Sequence, residues 1–166
     1  MPEGNGRDGA GVRRRARELA FRVLFESEQG GSYPEDVLER ALADIGKRGV
    51  EQSRGRAGDP DDGYGDPLDT EALSFTRKLV LGYDEKRHHV DQTLERVIEG
   101  WTFSQMSKTD LAVLRLAGYE MMFEDTPHPP VIEVAVRIAK KYGGEESGRF
   151  VNGVLARLKR HVDGKE

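Results

Sequence analysis

The sequence predicts an all-α fold, and three observations carry that expectation. Apolar residues recur at intervals of three and four along most of the chain, the spacing that lines one face of a helix. No segment reads convincingly as a strand, because none sustains the apolar/polar alternation of a half-buried one. Proline and glycine punctuate the periodic segments. Pro34 and Pro130 suit first helical turns, and Gly143-Gly144 stands where a helix would stop.

Taken in order, residues 13–29 place Ala16, Leu19, Ala20, Val23 and Leu24 on one narrow stripe. Phe21 and Phe25 fall on the opposite side, beside Arg14 and Glu18. They are expected either to form a second packing layer or to meet a partner, since bare aromatics are costly in water. Residues 34–45 follow, with Val37, Leu38, Ala41, Leu42 and Ile45 on one face. From Gly46 to Asp66 the periodicity vanishes among six glycines, Pro60 and scattered charges, which predicts an exposed, flexible loop over 46–66.

Asp69 can cap a helix carrying Leu73, Phe75, Leu79, Val80 and Tyr83. A break is expected near Gly82 to Asp84, then a helix with Val90, Leu94, Val97 and Ile98. Trp101 and Phe103 are expected to plug a junction in the core. Ser107, with Asp110 three residues on, resembles a capping box, although Glu or Gln is the usual partner. The helix it opens carries Leu111, Leu114, Leu116, Ala117, Met121 and Met122 and is apolar nearly all round, as a central buried helix would be.

Thr126 to Pro130 is a stiff turn into a helix that buries Val131, Val134, Ala135, Ile138 and Tyr142. The last helix spans about Ser147 to His161, with Val151, Val154, Leu155 and Leu158 as its stripe. Gly153 in its middle costs about 1 kcal/mol against alanine, which predicts close packing at that point.

The chain is 36% apolar and 34% charged with no cysteine, which excludes a disulfide framework, a thiol nucleophile and a cysteine-ligated metal. No apolar run is long enough to span a bilayer, and the Gly-rich start lacks the apolar stretch of a signal peptide; a cytoplasmic protein without membrane contact is expected. Catalytic readings find no support. The stretch Gly143 to Gly148 has the glycine spacing of a phosphate loop, but Arg149-Phe150 stands where Lys-Ser/Thr is needed. His88, His89, His128 and His161 lack metal-ligand spacing. No catalytic residue, metal site or cofactor is assigned.

Charge distribution says more than the net value of -4. Arg13, Arg14, Arg15 and Arg17 gather at the head of the first predicted helix, where the helix dipole disfavours cations. Such a cluster in an acidic chain reads as a site for something anionic, most simply nucleic-acid phosphates. A second basic patch holds Arg137, Lys140 and Lys141, then Arg149, Arg157, Lys159 and Arg160. Lys140 and Lys141 suit the last turn of a helix and need no further role. Arg149 and Phe150, a cation beside an aromatic at a helix start, suit a phosphate or a base.

Three stretches together resemble the NusB family of bacterial transcription antitermination factors. They are the run Arg13 to Ala20, Thr109-Asp110-Leu111-Ala112-Val113-Leu114-Arg115-Leu116 with Tyr119-Glu120, and Ala139-Lys140-Lys141-Tyr142-Gly143 followed by Ser147 to Leu155. The similarity covers roughly 12–160 and is most specific in Phe150-Val151-Asn152-Gly153-Val154-Leu155. It implies two small helical bundles with about seven helices in a single domain over 12–160, divided at about 12–100 and 101–160. Residues 1–11 then read as a disordered extension and 161–166 as a tail.

The same resemblance implies binding to boxA RNA of ribosomal RNA transcripts, jointly with the ribosomal protein NusE, in support of RNA polymerase and other Nus factors. By position it assigns Arg13, Arg14, Arg15, Arg17, Arg149 and Phe150 to RNA, with Glu146 as a possible modulator. Phe25 and Asp110 fall at the NusE interface. It leaves homodimer formation open. The alternative is a helical protein-interaction module, self-associating or not, whose basic patches are incidental.

Overall fold

The computed structural model describes residues 5–48 and 70–164. Among the described residues there are six α-helices: α1 (Asn5–Gly30), α2 (Pro34–Arg48), α3 (Thr70–Val97), α4 (Lys108–Phe123), α5 (His128–Gly143) and α6 (Glu145–Val162). A short 3-10 turn, Phe103–Gln105, precedes α4. The described residues contain no strand, as the periodicity predicts. The expected loop at 46–66 falls largely outside the described residues; its first residues, to Arg48, belong to α2.

The chain divides into two compact units, Met1–Val80 and Leu81–Glu166, so the division falls within α3 and not near residue 100. In the first unit α1 packs on α2. Ala16, Ala20, Val23 and Leu24 are buried with Val37, Leu38, Leu79 and Val80. Buried Thr76 donates its hydroxyl to the carbonyls of Ala72 and Ala16, at 3.0 and 3.3 Å, tying α3 to α1. Ser27 closes the α1–α2 corner by donating to the Ser32 carbonyl at 2.6 Å.

In the second unit α4 is the central helix, packed on both α5 and α6, with ten of its 16 residues buried. Ser107 caps it, its Oγ accepting the Asp110 N–H at 3.0 Å. Arg115 grips Asp91 of α3 through two parallel bonds of 3.1 Å, the planar fork a guanidinium makes with a carboxylate. Tyr83 adds a third bond to Asp91, and the Arg115 guanidinium lies over the Phe103 ring. Gly144 separates α5 from α6 at φ 94°, a left-handed value that glycine reaches without a Cβ penalty.

Several expectations are corrected. The first helix begins at Asn5, so the arginine cluster lies about two turns inside α1 and not at its head. The dipole acts mainly within the first turn, so the expected conflict at a helix head disappears. Helix α3 runs unbroken through Gly82, where the sequence suggested a break. Gly82 serves packing: a Cβ there would collide with the Tyr119 ring.

Gly153 is the reverse case. It is exposed, and a Cβ would meet nothing within 4 Å, so no packing within the described residues demands it. Trp101 does not plug the core but is 52% exposed, while Phe103 is half-buried beneath Arg115. Tyr142 continues the α5 stripe of Val131, Val134, Ala135 and Ile138, but it stands in the last turn of the helix and is exposed, with Lys141 over its ring. Phe21, at 3% exposure, belongs to the core and cannot be a partner surface.

Candidate nucleic-acid interface

In the first unit the arginines differ sharply in setting. Arg13 is exposed, Arg14 and Arg15 are half-buried, and Arg17 is only 8% exposed. Arg13 and Arg17, one turn apart, both place their guanidinium carbons over the Phe75 ring, 5.3 and 5.5 Å from its centre. An aromatic face attracts cations through its quadrupole, and here it offsets repulsion between two like charges. The sequence showed Phe75 only as a helix-stripe residue, because nothing local links α3 to a position about 60 residues earlier. Phe25 is half-buried, its ring 5.8 Å from that of Phe21 and tilted by 34°.

In the second unit Arg149 and Glu146 are exposed on the first turns of α6, and Phe150 is half-buried. Phe150 meets Trp101 edge-on, with ring centres 5.8 Å apart and planes at 63°. Arg157, two turns further along α6, lies 3.8 Å from Glu99. Asp110 is 8% exposed, and its Oδ1 has no hydrogen-bond partner among the described residues. A Cβ at Gly143 would stand 3.7 Å from that oxygen, so the carboxylate lies beside the α5–α6 corner.

Nearby, the Tyr119 hydroxyl donates to Glu124 at 2.7 Å. Burial, then that carboxylate bond, push its pKa well above the ordinary tyrosine value, so it remains a donor. Among the described residues no group of histidines and carboxylates could hold a metal ion. No described helix is long and apolar enough to cross a membrane.

This arrangement presents cations and aromatics in both units, at the places where the sequence motifs lie. The profile of the NusB family matches residues 14–160. The chain belongs to the NusB family. A transcription antitermination protein NusB of Thermus thermophilus is 52% identical over 151 residues, covering 91% of this chain and 92% of its own. The Deinococcus deserti protein of the same name is 49% identical over 152 residues, covering 92% and 83%.

Among solved structures, T. maritima NusB is 33% identical with a TM-score of 0.70, covering 89% of this chain and 90% of its own. NusB solved with NusE and double-stranded RNA shares the fold at 24% identity and a TM-score of 0.69, covering 90% and 97%. NusB proteins are transcription antitermination factors and not enzymes.

Side-chain contacts bring three residues into view that sequence reasoning left out of the candidate site. Phe75 supports the arginines, Trp101 flanks Phe150, and Arg157 continues the face that Phe150 begins. Only Arg157 left a trace in the sequence, as part of the second basic patch.

Proposed function

We propose that this protein is a cytoplasmic, RNA-binding transcription antitermination factor. It binds boxA RNA of ribosomal RNA transcripts together with NusE and supports RNA polymerase, with other Nus factors, in processive transcription. The observation that carries this reading is the arginine row of α1. Two of its guanidiniums share the Phe75 ring, and Arg13 and Arg14 both reach solvent. Clustered guanidiniums on a helix suit a phosphate backbone, to which each binds through a planar fork.

Arg149 and Phe150 supply a second contact, with Glu146 tempering it by repulsion. Phe25 and Asp110 are the residues proposed to meet NusE. Asp110 does so from the rim, since its Oδ1 is shielded and its N–H is already used in the cap.

The test is an RNA gel-shift titration with boxA-containing RNA, with and without NusE. Replacing Arg13 and Arg14 by Glu is expected to weaken binding at least tenfold, about 1.4 kcal/mol or more, with the helical circular dichroism unchanged. Unchanged RNA affinity in that double variant would remove α1 from the RNA surface. If RNA affinity is negligible throughout while Phe25→Ala loses a protein partner, the protein-interaction reading replaces this one.

A further inference from the structure

We propose that Trp101, Phe150 and Gly153 form a seat for one unpaired RNA base, with Arg149 and Arg157 placed for the adjoining phosphates. The inference rests on the RNA-binding reading and adds a site to it. Phe150, Gly153 and Arg157 stand at i, i+3 and i+7 and therefore share one face of α6. Two contacts bring the segment before α4 onto that face: Trp101 on Phe150, and Glu99 at 3.8 Å from Arg157. Between them lies Gly153, where a Cβ would meet nothing within 4 Å.

A helix-interior glycine weakens a helix, and here no packing within the described residues repays it. The face thus offers an exposed indole braced edge-on by a phenyl ring, a bare stretch of backbone, and a guanidinium beyond it. A base stacks on the indole, and the absence of a side chain at Gly153 lets the sugar-phosphate approach the helix. Arg149 and Arg157 then answer its charge. Glu99 pairs with Arg157 on this face and Glu146 stands one turn before Phe150; Glu99 is 78% exposed and can swing into water as phosphate replaces it on Arg157.

Trp101 is the only tryptophan of the chain, so its emission reports on this seat alone. Fluorescein-labelled single-stranded boxA RNA is titrated into the full-length protein. Polarisation of the label reports total binding, and tryptophan emission in parallel titrations with unlabelled RNA reports the seat. Stacking predicts quenching that saturates with the polarisation curve and is absent with the same RNA annealed to its complement.

Trp101→Ala is expected to lower affinity about tenfold and Trp101→Phe to restore most of it. Gly153→Leu should weaken binding similarly without lowering the melting temperature, which separates a blocked seat from a damaged fold. Binding by polarisation with unchanged emission and full affinity in Trp101→Ala and Gly153→Leu overturns the seat and leaves the RNA function standing. Absence of any RNA binding overturns both. Emission that responds to NusE without RNA, with Trp101→Ala losing NusE and not RNA, assigns the face to a protein and overturns the seat.

Discussion

Arg17 and Arg13 carry the same charge one helical turn apart, yet they answer to different forces. Arg13 is exposed and Arg17 is 8% exposed, although both lie over Phe75. Arg17 is not one of the residues of the α1 apolar stripe, yet it is buried. Arg17→Glu should cost about 2–3 kcal/mol of stability, since it buries a carboxylate, loses the cation on the ring and removes packed methylenes. Arg13→Glu should stay within about 1 kcal/mol. Urea unfolding of the two variants checks this, and equal midpoints would mean that Arg17 is not held as described. Any loss of RNA affinity in Arg17→Glu must therefore be separated from loss of fold, which Arg13 and Arg14 avoid.

Among the elements, α3 and α6 teach the same lesson from opposite sides. Both contain an interior glycine, and sequence reasoning took one as a break and the other as a packing contact. The structure exchanges those roles: Gly82 admits the Tyr119 ring, and Gly153 faces open space. A glycine within a periodic segment records that a side chain is absent and not what takes its place, so partners 37 residues apart in sequence, such as Gly82 and Tyr119, stay invisible. Gly82→Val should therefore lower stability by about 2–3 kcal/mol through overpacking. Gly153→Ala should raise it by about 1 kcal/mol through helix propensity. Thermal melts decide both, and shifts of the same sign would contradict the assignment.

What was legible was everything set by local periodicity: the stripes of α1, α2, α4, α5 and α6, the Ser107 cap and the Gly143-Gly144 stop. Trp101 was illegible for the same reason as the glycines. A large aromatic in a polar linker is ordinarily buried, and nothing local says that this one is braced by α6 instead.

At the scale of the whole molecule, an acidic chain of net charge -4 must bind a polyanion through local fields and not through its total. Such fields are screened over about 8–10 Å at ordinary ionic strength, so distant carboxylates matter little and arginines in contact with phosphate matter most. The logarithm of RNA affinity should fall with the logarithm of salt concentration by roughly 0.7 for each phosphate contacted on a single strand. With Arg13, Arg14, Arg149 and Arg157 engaged, a slope of about −3 is expected by isothermal titration at stepped potassium chloride. A slope near zero would favour the protein-interaction reading. The motifs that carry the family resemblance are short local runs present in both units, which made the function class readable before the geometry. Which arginine is exposed, and which aromatic stands beside it, depended on contacts between helices.

The Phe75 ring beneath Arg13 and Arg17 has a kinetic consequence. Two flexible cations that cluster only once a ligand arrives can add to the lifetime of a complex, but they give an approaching ligand little to sense. Cations already gathered on a ring present their potential in the free protein, so the encounter itself is accelerated. For the proposed RNA partner, Phe75→Leu should therefore slow association more than it hastens dissociation. The difference should fade as salt rises, a pattern that stopped-flow mixing resolves.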